Sequence, residues 1–257
     1  MMKEKVTAVV ISQVEIAPSI FDMWIETSLA AQAKPGQFIA VFPKDKSTLL
    51  PRPISICEVR EDRKALRIVY RVAGQGTAEF SGYQAGDSIA ILGTLGNGFP
   101  LEKGEGRKVF LMGGGIGVPP ILELAKQMNA DKMVVVGYRD SNTFLREDFE
   151  QIARVYIATE DGSVGTKGNV MNAIEENGIE ADVIFACGPM PMLRAIKAYA
   201  AQKGIKAYIS LEEHMACGVG ACLGCVVSTK EVDHHSHVNN ARICTDGPVF
   251  DAEDVNI

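Results

Sequence analysis

No apolar run in this 257-residue sequence is long enough to cross a bilayer. The longest are strand-length and broken by glycine or proline, short of the roughly 18 residues a spanning helix needs. Positive charge is not in excess either: 26 lysines and arginines face 32 aspartates and glutamates, a net charge of −6. That balance leaves out the basic surface that nucleic acid or an anionic membrane requires. The start, Met1-Met2-Lys3-Glu4-Lys5, has no apolar signal core behind it. A cytoplasmic protein with neither nucleic-acid nor membrane partners is expected. Low complexity and internal repeats are also missing. At 47% apolar and 23% charged residues the composition is ordinary for a globular protein. The length exceeds one typical domain, so two compact units with a small appendage are expected.

The first hundred residues lack a long amphipathic helix. Segments 6–12, 20–25, 37–42, 54–59, 65–72 and 88–92 are rich in Val, Ile and Phe and divided by turn signals such as Pro35-Gly36 and Ala85-Gly86-Asp87. Six short strands so spaced predict a small antiparallel barrel. Beyond residue 103 the pattern changes. Strands at 109–112, 133–138, 155–159, 182–187 and 206–210 alternate with helices near 120–128, 144–152, 170–176 and 191–203. This predicts a parallel sheet covered on both faces. Residues 211–257 form a third, Gly- and Cys-rich piece with one clear strand at 225–229. The predicted fold is therefore α/β plus all-β, divided at 1–102, 103–209 and 210–257.

Cysteine is scarce except in that last piece, which holds Cys217, Cys222, Cys225 and Cys244 of the six. A disulfide scaffold would spread its cysteines through a small secreted chain, and a reducing compartment argues against pairing. Cys217-x4-Cys222-x2-Cys225 followed at a distance by Cys244 is the plant-type spacing of a [2Fe–2S] cluster. Three thiolates converge from one tight loop and the fourth closes the site. Gly218, Gly220, Ala221 and Gly224 let backbone N–H groups approach the sulfides. Four-cysteine zinc sites usually use two separated C-x2-C pairs, and only one is present. His234, His235 and His237 precede Cys244; an exposed polar loop is the plainer reading of them.

Two turns carry nucleotide chemistry. Gly113, Gly114, Gly115 and Gly117 follow a predicted strand and open a helix at Pro119-Pro120. Bare N–H groups at such a helix start hold a pyrophosphate, and proline suits its first turn. Cys187-Gly188-Pro189-Met190 ends a later strand in the same way and would line a nicotinamide at the carboxyl edge of the sheet. Asp161, in Glu160-Asp161-Gly162, could reach a ribose hydroxyl, although Asp-Gly is first a turn signal. Arg139 could in principle attract a 2′-phosphate, so charge does not decide NAD over NADP.

In the barrel, Arg52-Pro53-Ile54-Ser55 opens one strand, and Val69-Tyr70-Arg71 with Gly74-Gln75-Gly76-Thr77 follows the next. An arginine at a strand end can hold a phosphate bidentately. With the glycine loop and Cys-Gly-Pro, these segments resemble the ferredoxin-reductase superfamily. Ser210-Leu211-Glu212-Glu213-x-Met215-x-Cys217-Gly218 makes the resemblance closest to the electron-transfer subunits of class 1B dihydroorotate dehydrogenases, along nearly the whole chain. That resemblance implies FAD on the barrel, with Arg52 at its phosphates, Ser55 at the flavin N5 edge, and Pro53, Ile54, Val69, Tyr70, Arg71, Gly76 and Thr77 completing the site. It implies NAD+ on the α/β unit and [2Fe–2S] on the tail cysteines. It also implies an FMN-containing catalytic partner in a heterotetramer of two copies of each subunit, with electrons passing from dihydroorotate through FMN, cluster and FAD to NAD+ in pyrimidine biosynthesis. No residue is nominated as a general acid or base. Two alternatives stand beside this reading: a flavin/iron–sulfur reductase subunit for a hydrogenase, ferredoxin or oxygenase, and a zinc-stabilised nucleotide-binding regulatory protein.

Overall fold

The structure, a computed structural model, describes residues 4–232 and 238–257. His234, His235 and His237 lie outside the described residues. Six strands close into an antiparallel barrel: β1 (Glu4–Ala17), β2 (Ile20–Glu26), β3 (Phe38–Phe42), β4 (Arg52–Val59), β5 (Ala65–Arg71) and β6 (Ser88–Leu95), in the order β1-β2-β5-β4-β3-β6 with β1 rejoining β6. β1 is twice the predicted length. Register shifts at Val10/Ser12 and Glu15/Ala17 bend it, so one half pairs with β6 and the other with β2. The barrel is filled by alternate residues, among them Ile39, Ile54, Ile56, Leu66, Ile68, Tyr70 and Ile91. A short helix, α1 (Gln75–Phe80), covers one end; at six residues it left no periodicity to detect.

Past Lys103 the chain builds a seven-stranded sheet. Its parallel strands are β7 (Lys108–Gly114), β8 (Asp131–Tyr138), β9 (Arg154–Thr159), β10 (Thr166–Lys167), β11 (Val183–Cys187) and β12 (Lys206–Ser210). Helices α2 (Pro119–Gln127), α3 (Arg146–Glu150), α4 (Val170–Asn177) and α5 (Met190–Lys203) connect them. Side chains alternate between two cores, Phe110, Met112, Val135 and Ile184 on one face and Val109, Leu111, Val134 and Phe185 on the other. Burial on both faces explains the near-continuous apolar runs. α3 is shorter than the predicted 144–152. Asp140 Oδ1 accepts from the N–H of Asn142 at 2.9 Å, and Leu145 has φ 64°, so a turn occupies what periodicity read as the first helical residues.

α2 joins the two large units. It packs on β4, and Glu123 Oε2 accepts the N–H of Val59 at 2.9 Å. Beside it, Arg67 of β5 is held by Asp22 (2.7 Å), Glu58 (3.0 Å) and Asp148 of α3 (2.8 Å). Desolvation works against the Arg67 charge, but Asp22 and Asp148 help to outweigh it and raise its pKa.

The tail is more structured than predicted. β13 (Val226–Ser228) and β14 (Asn240–Arg242) form a hairpin, and β15 (Val249–Asp251) adds an antiparallel strand to β12 at the sheet edge. The strand order is β10-β9-β8-β7-β11-β12-β15. Among the described residues no helix is long and apolar enough to cross a membrane.

Candidate functional site

The hairpin β13–β14 explains how a distant fourth cysteine returns to the loop. Val226 pairs with Arg242, and the N–H of Ile243 donates to the carbonyl of Cys225 at 2.8 Å, so Cys225 and Cys244 become neighbours. Both are buried, whereas Cys222 is exposed. Loop N–H groups turn inward: Val219 (3.4 Å) and Ala221 (3.3 Å) donate to Cys217 Sγ, and Gly224 (3.4 Å) donates to Cys222 Sγ. Desolvation opposes ionisation of Cys217, yet these donors and the Cys222 side chain bring its thiol down to about 6. Burial and the Cys225 side chain push Cys244 up to about 11. Cys217 acts on Cys244 as well, so the four thiols lie within electrostatic reach of one another. No group of three or more His, Cys, Asp or Glu surrounds a single ion among the described residues. The C-x4-C-x2-C loop with a distant fourth cysteine fits the [2Fe–2S] spacing.

This loop rests on the barrel. Gly218 approaches β6 so closely that a Cβ there would lie 3.2 Å from Leu95 Cδ1. Asn97, just past β6, donates to the carbonyls of Asp246 (3.1 Å) and Val249 (2.7 Å) and accepts the N–H of Val249 (3.0 Å). Leu95 pairs with Phe38, which pairs with Ser55. The cysteine loop therefore lies against a residue about 10 Å, two strand spacings, from Ser55.

A cleft of about 740 Å³ runs along the carboxyl edge of the sheet beside the barrel. Gly114, Gly115 and Gly117 with Gly188 and Pro189 line it, as do Arg71, Glu212, Arg139 and Glu160. Gly117 crosses the neighbouring turn with no room for a side chain: a Cβ would meet Cys187 O at 2.5 Å. Arg71 reaches across from the barrel, 3.5 Å from a Cβ built on Gly115. Glu212 is exposed to the cleft; desolvation raises its pKa while Arg71 pulls it down.

At another end of the barrel Arg52 meets the start of α1, its Nε 2.9 Å from a Cβ built on Gly76. Glu79 of α1 accepts from the N–H groups of Lys44 (2.6 Å) and Asp45 (3.0 Å), which pins the loop leading to Arg52. The start of α1 and a guanidinium thus share one face, an arrangement suited to phosphate.

The comparisons agree with this geometry. Residues 212–256 match the model of the iron–sulfur cluster binding domain of dihydroorotate dehydrogenase B. The electron transfer subunit of NAD(+)-dependent dihydroorotate dehydrogenase B from Bacillus cereus is 41% identical over 97% of both chains. Its Streptococcus mutans counterpart is 43% identical over 97% of this chain and 96% of that one. The chain belongs to the electron-transfer subunits of dihydroorotate dehydrogenase B. A solved NADH-dependent reduced ferredoxin–NADP oxidoreductase superposes with a TM-score of 0.85 at 28% identity, covering 97% of this chain and 89% of that one. The fold is thus that of the ferredoxin reductases, and the chain is a subunit of an oxidoreductase.

Within this electron-transfer subunit the structure sorts the residues named from sequence. Arg52 with Gly76 forms one group; Thr77 at that turn keeps its hydroxyl for the N–H groups of Ala73 and Gly74. Pro53 and Ser55 alternate with Ile54, whose side chain is inside the barrel. Tyr70 also points inside, its hydroxyl donating to Gln13 Oε1 at 2.7 Å, so only its backbone is available to a ligand. Val69 packs in the core between the units, and Arg71 belongs to the cleft. Gly113 is covered by Val118, and Cys187 is fully buried, which raises its thiol pKa. Sequence reasoning assigned no role to Glu212 or Glu160, although both lie within motifs it singled out.

Proposed function

We propose that this chain carries electrons from an FMN-containing catalytic partner that oxidises dihydroorotate to NAD+, using a [2Fe–2S] cluster and FAD, in pyrimidine biosynthesis. The observation that carries the reading is the meeting of three sites at one place: the cysteine loop rests on Leu95, two strands from Ser55, and Glu212 of the same segment reaches the cleft. When bound, a flavin exchanges a hydride with nicotinamide and single electrons with an iron–sulfur cluster. Cys217, Cys222, Cys225 and Cys244 would hold the cluster. Arg52 and the start of α1 hold the FAD phosphates; Pro53, Ser55 and the strand backbone at Ile54, Val69 and Tyr70 form the bed for the ring. Gly114, Gly115 and Gly117 hold the NAD+ pyrophosphate with Arg71, and Gly188 and Pro189 direct the nicotinamide toward the barrel. The three pieces 1–102, 103–209 and 210–257 correspond to these three cofactors. Unpaired, clustered thiols persist in a reducing compartment, which supports a cytoplasmic location. Two copies of this chain join two of the catalytic subunit.

Arg52→Ala is expected to weaken FAD retention about ten- to a hundredfold, since a hydrogen-bonded charged contact contributes roughly 1.5–3 kcal/mol. Cluster content should be unchanged. Flavin occupancy measured after serial dilution checks this, and full occupancy in the variant would remove Arg52 from the phosphate site.

The whole reading is tested with the purified chain. Alone, it should oxidise NADH with artificial acceptors and leave dihydroorotate untouched, and added FMN subunit should establish dihydroorotate:NAD+ activity. Exposed Val219 and Leu223 mark the cluster loop as the docking face. Reduction of NAD+ by dihydroorotate without any FMN protein would sink the proposal.

A further inference from the structure

The cleft has two ends that differ in charge. The strand order β11-β7-β8-β9 spaces Pro189 and the end of β9 three strands apart, roughly 14 Å at ordinary spacing. At the barrel end stand Pro189, Arg71 and Glu212; on the β8–β9 side stand Arg139, Asp140 and Glu160. A dinucleotide with its nicotinamide near the barrel and its pyrophosphate on the glycine loop would lay its adenosine ribose on the β8–β9 side.

The turn after β9 decides which carboxylate faces that ribose. Asp161, the acid that sequence favours, accepts the N–H of Ser163 at 2.9 Å and does not line the cleft. Glu160 does line it. Its own N–H is tied to the carbonyl of Tyr138 at 3.1 Å, which anchors the residue to β8. Its carboxylate takes no hydrogen bond or ion pair from the described residues. Asp140, in contrast, accepts from both the N–H and the side-chain amide of Asn142. Two carboxylates against the single guanidinium of Arg139 leave this rim negative, a field that repels a 2′-phosphate.

We propose that Glu160 is the residue that selects NAD over NADP in this chain, by accepting from the adenosine ribose hydroxyls and repelling a phosphate on the 2′ oxygen. The inference rests on the cleft being the NAD site. A carboxylate at a strand end is the physical solution to this discrimination in dinucleotide folds generally. Here it is assigned to Glu160 because the adjacent turn engages Asp161.

The test uses ADP-ribose and its 2′-phosphate, which need neither flavin nor turnover, titrated calorimetrically into the full chain. Wild type is expected to prefer ADP-ribose about a hundredfold, a difference of about 2.7 kcal/mol. Glu160→Gln should reduce that preference at least tenfold and weaken ADP-ribose itself severalfold. Glu160→Arg should reverse it, and Asp161→Asn should leave it unchanged. Binding of ADP-ribose with the wild-type preference kept in both Glu160 variants overturns the inference while leaving the cleft as the NAD site. Failure of wild type to bind either compound overturns both.

Discussion

Replacing Arg67 with alanine should destabilise the chain by about 3–5 kcal/mol, the range for stripping the partner from buried charges. The Arg67 side chain is 12% exposed, and the carboxylates around it are 9% (Asp22), 14% (Glu58) and 33% exposed (Asp148). Without the guanidinium, three like charges remain in poorly solvated surroundings, with only Lys126 still bound to Glu58. Since Asp148 belongs to α3 and the others to the barrel, the variant also removes one of the ties between the two large units. Asp148→Asn should cost less, about 1–2 kcal/mol, because its site is partly solvated and leaves Arg67 with two partners. Urea unfolding of the cofactor-loaded protein measures both. A loss below about 1 kcal/mol for Arg67→Ala would show that the network contributes little net stability.

Cys222→Ser should lose the cluster, and with it all electron exchange with the catalytic partner, while NADH oxidation by artificial acceptors continues. The separation follows from the fold: Arg52 with α1 and the glycine-lined cleft share no residue with the cysteine loop. Serine is a poor substitute because iron–sulfur clusters are held by thiolates. Cys57→Ser and Cys187→Ser should keep full iron, since both thiols are buried away from the loop and burial raises their pKa values. Iron and acid-labile sulfide content decides the matter. Full retention of both in each single Cys→Ser variant at 217, 222, 225 and 244 would refute the ligand assignment.

Local signals carried much of the architecture. The cysteine spacing is legible because three ligands lie within nine residues on one loop, and chain geometry alone brings them close. The glycine loop and Cys187-Gly188-Pro189 are legible for the same reason, each being a strand end that opens a helix. Tyr70 was less legible. It belongs to a segment named for the flavin site, but its side chain takes the inward phase of β5 and donates to Gln13. Neighbouring residues on a strand face opposite ways, and a motif does not say which phase faces the ligand. Glu160 and Asp161 differ likewise: one turn hydrogen bond to Ser163 turns the expected acid away from the cleft.

The sequence by itself determined the kind of protein this is: a strand-rich first unit, an alternating α/β unit, a cysteine loop with iron–sulfur spacing, and motifs resembling one family throughout. Each is written in residues close together in the chain, so propensity and spacing suffice to read it. Only the tertiary structure decided how the parts meet. The hairpin return that sets Cys244 beside Cys225, the Asn97 contacts that tie the tail to the barrel, the addition of β15 to β12, and the gathering of Asp22 and Asp148 around Arg67 all join residues far apart in sequence. Such contacts depend on strand register and on buried charges finding partners, and both are settled only when the whole chain packs.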